Sequence, residues 1–238
     1  MARMFAGLLG VILAAGVVLE AAAAPPLKIT VYGGTGNIGQ RIVHEALQRG
    51  AIVTIIVRDP SVATEHDARL TVRQGDVLDS MQVAQAAAGQ DVIVCAVSFR
   101  KPPDPGAYVR AAKSLVGALR SLAPKAPRLI VVGGAGSLTD ASGKLVAERI
   151  PVAFRGEVLG QKDALDYYRT VTDVSWTYFS PAFTISPGTR TGKFRLGRDE
   201  LISDAHGDSR ISMEDYAVAV IDEAEKAAHV HRRFTIGY

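Results

Sequence analysis

Gly33, Gly36 and Gly39 recur at intervals of three in the segment Val31-Tyr32-Gly33-Gly34-Thr35-Gly36-Asn37-Ile38-Gly39. Glycines so spaced remove side-chain bulk where a backbone must approach phosphate. The β-branched run Leu27 to Tyr32 precedes the loop, and Ile38, Ile42, Ala46 and Leu47 follow it at helical spacing. At such a strand-to-helix bend, Gly33 permits the tight turn, Gly36 lets the main chain reach a pyrophosphate, and Gly39 lets helix and strand pack closely. Thr35, Asn37 and Ile38 fill the loop, whose amides open a helix and point at an anion that the helix dipole favours. A glycine triplet alone is a weak signal. Here the strand, the helix and a second strand, Ile52 to Val57, are close enough in sequence for a βαβ unit, and the expected ligand is a dinucleotide.

The second strand runs into Arg58-Asp59-Pro60, where a dinucleotide fold meets the adenosine ribose. An acid at this end selects a free 2′-hydroxyl and an arginine pairs with a 2′-phosphate, so Arg58 favours NADP whereas Asp59 supports NAD. Asp76 and Val77 follow the third strand beside the expected adenine, although Asp76 suits a turn or helix cap equally well. Ala96, Val97 and Ser98 end the fourth strand, and Gly133 and Gly134 end the fifth. Carboxyl ends of strands are where open α/β sheets bind ligands.

The elements that must position these residues alternate along the chain. Strands are expected at Leu27 to Tyr32, Ile52 to Val57, Leu70 to Arg73, Val92 to Ala96, Leu129 to Val132 and Trp176 to Ser180. Helices are expected at Ile38 to Arg49, Ser80 to Ala88, Gly106 to Leu122 and Glu157 to Thr170. Gly50 and Gly89 stand where helices end in a left-handed residue. Thr184 to Gly207 reads as a long loop, with His206 a candidate substrate contact. Ser212 and Asp215 resemble a capping box that opens a last helix, and Phe234 to Ile236 suggest an edge strand. The expected fold is a single α/β domain, a doubly wound parallel sheet (Rossmann fold) with a long C-terminal loop and helix over the site.

Composition agrees with a globular chain: 238 residues, 48% hydrophobic and 21% charged, with a formal charge of +3. The basic residues are scattered, which argues against a nucleic-acid partner. With Cys95 the only cysteine, the chain can form neither an intramolecular disulfide nor a cysteine zinc cluster. Met1 to Met4 carry one arginine, Phe5 to Leu19 are apolar, and Ala21 to Ala24 precede Pro25-Pro26. This is the layout of a secretory signal peptide, too short in its apolar run to span a bilayer and best cut after Ala22 or Ala23. The remainder, residues 25 to 238, is then periplasmic or secreted without stable membrane insertion, and cytoplasmic if the leader is unused. An exported destination sits uneasily with a cytosolic reduced cofactor.

Taken together, Gly33 to Gly39, Val57-Arg58-Asp59-Pro60, Gly75-Asp76-Val77-Leu78-Asp79, Val131 to Leu138, Ser180-Pro181-Ala182, Pro187 to Gly192 and Arg210 to Ala217 resemble the atypical short-chain dehydrogenase/reductases of the NAD(P)H-binding, NmrA-like family, and within it the NADH-flavin reductase group. The resemblance implies a nicotinamide cofactor, with flavin or quinone reduction in some members and redox sensing in others. It adds Ser180, Pro181 and Ala182 to the cofactor residues and gives Ser137 the place of the superfamily's catalytic serine, where a turn serine fits as well.

Ordinary dehydrogenases of that superfamily place a tyrosine four residues before a lysine that lowers its pKa. Lys162 lies on the right helix as a candidate ribose contact, but Val158 occupies the position four before it. Ordinary ketone chemistry is therefore disfavoured. The expected reaction is hydride transfer from NADPH, or NADH, to a planar small-molecule acceptor such as FMN, FAD or a quinone. Phe99, Phe154 and Phe183 are candidates for an apolar shelf, each of which core packing would explain too. The competing readings are a non-catalytic NAD(P)H sensor and a nucleotide-sugar epimerase or dehydratase. A homodimer is compatible with either.

Overall fold

The computed structural model describes residues 25–100 and 103–238, so the expected leader at 1–24 lies outside the described residues. Strands β1 (Lys28–Tyr32), β2 (Ile52–Val57), β3 (Leu70–Gln74), β4 (Val92–Cys95), β5 (Arg128–Val132) and β6 (Trp176–Ser180) match the apolar runs of the sequence. Between and after them come helices α1 (Asn37–Gln48), α2 (Ser80–Ala87), α3 (Gly106–Ser121), α4 (Val152–Arg169) and α5 (Met213–Lys226). Three short strands, β7 (Thr184–Ser186), β8 (Arg195–Gly197) and β9 (Arg210–Ser212), precede α5, and β10 (Arg232–Gly237) closes the chain.

The main sheet runs β3-β2-β1-β4-β5-β6-β10-β8, parallel except for β8, which pairs antiparallel to β10. The order reverses between β1 and β4, the switch point at which a doubly wound sheet opens a crevice. Two apolar layers cover it. Ile29, Val31, Val53, Ile55, Val92 and Val94 pack under α1 and α5, while Ile93, Cys95, Leu129, Val131, Trp176 and Tyr178 pack under α2, α3 and α4. The strands carry apolar residues to both faces, as parallel sheets between helices must.

Three expectations need correction. Phe234 to Ile236 do not form an edge: β10 pairs with β6 on one side and β8 on the other, and Phe234 and Ile236 are buried in the apolar layer with Phe179 of β6 and Tyr216 of α5. Helix α4 starts at Val152, not Glu157, since Pro151 supplies a helix start that the apolar periodicity alone did not reveal. The segment 184–207 is not a plain loop. It contributes β7 and β8, and Thr139 pairs with it at Glu200.

Charged groups hold this segment on α1 and α5. Glu45, 3% exposed, accepts from Arg190 Nε at 2.7 Å and Nη2 at 2.8 Å and from Arg49 Nε at 2.8 Å. Arg49 also reaches Asp222 and Glu225 of α5. Asp215, fully buried, accepts from the Thr191 and Gly192 amides at 2.8 Å each and from the Tyr238 hydroxyl at 2.8 Å. The capping box is thus half present: Ser212 Oγ accepts the Asp215 amide at 3.0 Å, while the Asp215 carboxylate turns away to the 191–192 loop.

The Arg190 fork holds the Glu45 carboxyl below the usual range, against burial and with help from Arg49. A carboxylate so depressed binds fewer protons folded than unfolded; its contribution is complete above the ordinary glutamate pKa of about 4.3 and is lost as pH falls through the folded value. Glu45→Gln is therefore expected to cost about 2 kcal/mol at pH 7, less than a fully buried pair because Arg190 is half in water. Thermal melts against pH check this, and the gap from the unsubstituted protein should narrow progressively as pH falls below about 4.3.

Candidate functional site

The crevice at the switch point is built from the exits of β1 and β4. The Ala96 amide donates to Tyr32 O at 2.9 Å, which draws the end of β4 against the β1 turn. Gly33 takes φ +77, and a Cβ there would lie 2.5 Å from Ala96 O. A Cβ on Gly34 would meet Ile55 Cγ2 at 2.6 Å, and one on Gly39 would overlap Gly33 O. These three glycines are required by the protein's own packing. Gly36 differs: it is exposed, with an ordinary φ of −77, and its nearest constraint is Gly33 O at 3.2 Å. Its missing side chain leaves space on the outer side of the bend.

That space lies at the N-terminus of α1. The first helical bond runs from the Gln40 amide to Gly36 O at 2.9 Å, so the amides of Asn37, Ile38 and Gly39 have no acceptor within the helix. No side chain caps this end and no acid lies in its first turn. By contrast α2 and α5 close the same gap internally, with Asp79 accepting from the Met81 and Gln82 amides and Ser212 from that of Asp215. Open amides, an uncompensated dipole and a cradle that a Cβ would fill fit a diphosphate. Thr35 is exposed on the same bend.

On the ribose side Arg58 is exposed, and among the described residues no carboxylate pairs with it. Asp59 faces elsewhere: its Oδ1 accepts from the Ser61 amide at 2.9 Å and hydroxyl at 2.7 Å, which hold its carboxyl below the usual range. Asp76 adopts the turn role, Oδ1 accepting from the Leu78 amide at 2.9 Å, and Val77 is buried beside it.

Beyond the switch point lie Ala96, Val97 and Ser98 after β4, Gly133 and Gly134 after β5, and Ser180, Pro181 and Ala182 after β6, all on the carboxyl edge. The two glycines are bare because the Tyr178 ring and the Gln161 side chain fill the places of their Cβ atoms. Ser180 Oγ is fully buried and has no hydrogen-bond partner among the described residues. Ser137 and Lys162 have separate partners: the Ser137 hydroxyl accepts from Arg233 Nη1 at 2.9 Å, and Lys162 Nζ pairs with Asp166 at 2.7 Å. Val158, four before Lys162, sits over Gly136. His206 is exposed in a tight turn capped by Asp204.

Sequence reasoning missed a buckle between the β4 exit and α4. The Phe99 amide donates to Tyr108 Oη at 3.2 Å, Tyr108 Oη donates to Glu157 Oε1 at 3.1 Å, and Arg100 pairs with the same carboxylate. Burial pushes the Tyr108 hydroxyl pKa up, so it stays protonated and able to donate. Phe99 meets the Tyr108 ring edge-on with centroids 5.0 Å apart. Three separate segments supply these residues, so no spacing links them. Phe154 and Phe183, by contrast, are 56% and 43% exposed and do not belong to the core. Among the described residues no group of three His, Cys, Asp or Glu is placed to hold a metal, and no helix is long and apolar enough to cross a membrane.

Comparison with known proteins places this geometry. A profile of the family described as NAD(P)H-binding matches residues 33–225. A solved protein of Burkholderia pseudomallei, provisionally described as exported, is 42% identical with a TM-score of 0.79, covering 89% of this chain and 100% of that one. A Bacteroides thetaiotaomicron structure provisionally assigned as an epimerase is 33% identical with a TM-score of 0.82, covering 90% of this chain and 98% of its own. A Streptococcus pneumoniae TIGR4 structure provisionally assigned as an NADH-flavin reductase is 29% identical with a TM-score of 0.78, covering 89% of this chain and 99% of that one.

The unequal constraints on the glycines give a direct test. Gly36→Ala should fold with a melting temperature close to that of the unsubstituted protein, yet lose at least about tenfold in dinucleotide affinity as its methyl enters the cradle. Gly39→Ala should instead be destabilised by at least about 3 kcal/mol, because its methyl would overlap main chain. Calorimetric titration and thermal melting on the two variants separate these outcomes.

Proposed function

Because the chain belongs to the NAD(P)H-binding family, we propose that it is an NAD(P)H-dependent oxidoreductase that delivers hydride to a flavin, quinone or similar planar acceptor. The observation that carries the reading is the uncapped start of α1 beside a bare, exposed Gly36. Asn37, Ile38 and Gly39 would hold the diphosphate through their amides, with Thr35 at the rim. Ala96 to Ser98 would flank the inner ribose, and Gly133, Gly134 and Ser180 to Ala182 would line the place of the nicotinamide. When bound, the reduced cofactor supplies two electrons and one hydrogen as hydride from nicotinamide C4, and water supplies the proton that completes reduction of the acceptor.

Positioning then does most of the catalysis. The Glu157 buckle holds the β4 exit on α4, and so fixes Ser98 and Phe99 beside the crevice. Val158 in place of a tyrosine leaves that helix position without a proton to exchange, which suits an acceptor whose protonation follows hydride arrival. The same substitution weighs against an epimerase, despite the assignment given to the Bacteroides relative, since sugar oxidation requires removal of a hydroxyl proton at that place. The exported description of the Burkholderia relative supports secretion through the 1–24 leader.

NADP is the preferred cofactor in this reading. Asp59 is committed to Ser61, so the acid that would read a free 2′-hydroxyl is turned away, while Arg58 remains in solvent with its guanidinium available to a 2′-phosphate. The test is titration with NADPH and NADH followed by addition of FMN, riboflavin and quinones, with NADPH oxidation as the readout. Binding of both oxidation states without turnover of any acceptor would point to a sensor instead. Arg58→Ala should raise the dissociation constant for NADPH by about 10- to 100-fold and that for NADH by less than about twofold.

A further inference from the structure

Two connections leave the carboxyl ends of the adjacent strands β5 and β6 and meet where Arg149 faces Phe183. From β5 the chain passes the buried Leu138, whose carbonyl accepts the Val146 amide at 2.9 Å, and ends a short helical turn at Arg149. From β6 it passes Pro181 and Ala182 to Phe183, whose amide donates to the Ser209 hydroxyl at 3.1 Å. The Arg149 guanidinium carbon stands 5.9 Å from the centre of the Phe183 ring. Both backbones are anchored and both side chains lie in water: Phe183 is 43% exposed and the Arg149 side chain 60%.

Neither exposure is explained by the fold. Phe183 leaves part of its ring surface uncovered at the end of β6, where the proposed reading puts the nicotinamide, and Val152 and Phe154 at the start of α4 add further uncovered apolar surface to the β5 connection. The charge of Arg149 is only loosely met. Asp140 lies 3.9 Å away, and its other oxygen is taken by the Ser142 amide and hydroxyl and the Lys144 amide. An aromatic face with an under-compensated guanidinium over it matches a planar ring that carries an anionic tail: the ring finds a rigid apolar partner, and the planar fork of arginine fits phosphate oxygens in pairs.

We propose that Phe183 and Arg149 form the acceptor subsite and select a planar acceptor bearing a phosphate, so that a flavin mononucleotide is preferred to its unphosphorylated flavin. This rests on the oxidoreductase reading for its purpose, but the site itself is a binding site and is tested by binding. Riboflavin and FMN share one ring system and differ in the phosphate, which makes them the controlled pair. Flavin fluorescence quenching is measured with the full chain in saturating NADP+, where no turnover occurs.

FMN should bind about tenfold more tightly than riboflavin, the worth of one charge-assisted hydrogen-bonded contact at a partly exposed position. Arg149→Met keeps the apolar stem and removes the charge; it should bring FMN to the level of riboflavin and leave riboflavin within about twofold. Phe183→Leu should weaken both flavins to a similar extent. Melting curves show that these exposed substitutions leave the fold intact. Equal binding of FMN and riboflavin, no binding of either, or a preference for FMN that survives Arg149→Met would overturn the subsite. Steady-state oxidation of NADPH then separates the two ideas. Turnover of both flavins with equal kcat/KM sinks the subsite and leaves the oxidoreductase reading, whereas selective FMN binding without turnover keeps the subsite and sinks that reading.

Discussion

Among the described residues, the three amides at the start of α1 have no acceptor. Gly33 bends the chain sharply enough to aim the helix at the switch point, and Gly39 lets the helix lie almost on the turn that precedes it. Capping would have been easy, since Asp79 and Ser212 do it for α2 and α5. At α1 the cap position is a glycine without a side chain, so the positive end of the dipole stays available to an outside anion. The exposed Arg58, the β4 exit and the bare glycines after β5 lie on the same carboxyl edge, along which the proposed dinucleotide would extend.

Keeping one end of α1 open places demands on its other end. Arg49 at the C-cap joins Glu45 to Asp222 and Glu225, and Arg190 closes on Glu45 from the 187–192 loop. Further along, Arg41 pairs with Glu214 at 2.6 Å, and Glu214 also accepts the Gly188 amide at 2.7 Å. The run Pro187 to Gly192, one of the most recognisable pieces of the sequence, is therefore a strap between α1 and α5. Its arginine holds a buried carboxylate instead of a ligand. A run that carries a family resemblance can report a structural fastening as readily as a binding site.

The parts of this architecture that were legible in the sequence are those governed by local rules. The βαβ unit announced itself through strand, glycine bend and helix in succession, and the positive φ of Gly50 and Gly89 follows from their places after α1 and α2. What was not legible depends on which distant segments meet. The β10 strand reads as an edge because nothing in Phe234 to Ile236 reveals that β8, thirty-odd positions earlier, turns back to cover it. The same blindness hid Glu157. As a letter it is one acid in an amphipathic helix, and only the approach of Arg100 and Tyr108 makes it a fastening. Ser137 and Lys162 show the same dependence on distant or neighbouring partners, since position along the chain suggested chemistry and only the fold pairs them with Arg233 and Asp166.

That last contrast bears on why the crevice is so sparsely furnished. A carbonyl reductase must hold an acid whose pKa is tuned to the proton it gives, and tuning requires a cation beside it. Here Lys162 is spent on Asp166, and Val158 seals the helix against Gly136, so the apparatus for lowering a hydroxyl's pKa is missing from the place where the fold would put it. An acceptor that stabilises the incoming electron pair within its own conjugated ring makes no such demand. It needs to lie flat, at the right distance, with water kept from the gap. In the proposed reading the Phe183 ring and the anchored backbone at the exits of β5 and β6 would provide the flat support. Under the proposed reading, the lack of a tuned acid would be a physical match between a light demand and a simple site, and selectivity would then rest on shape and charge at the exits of β5 and β6.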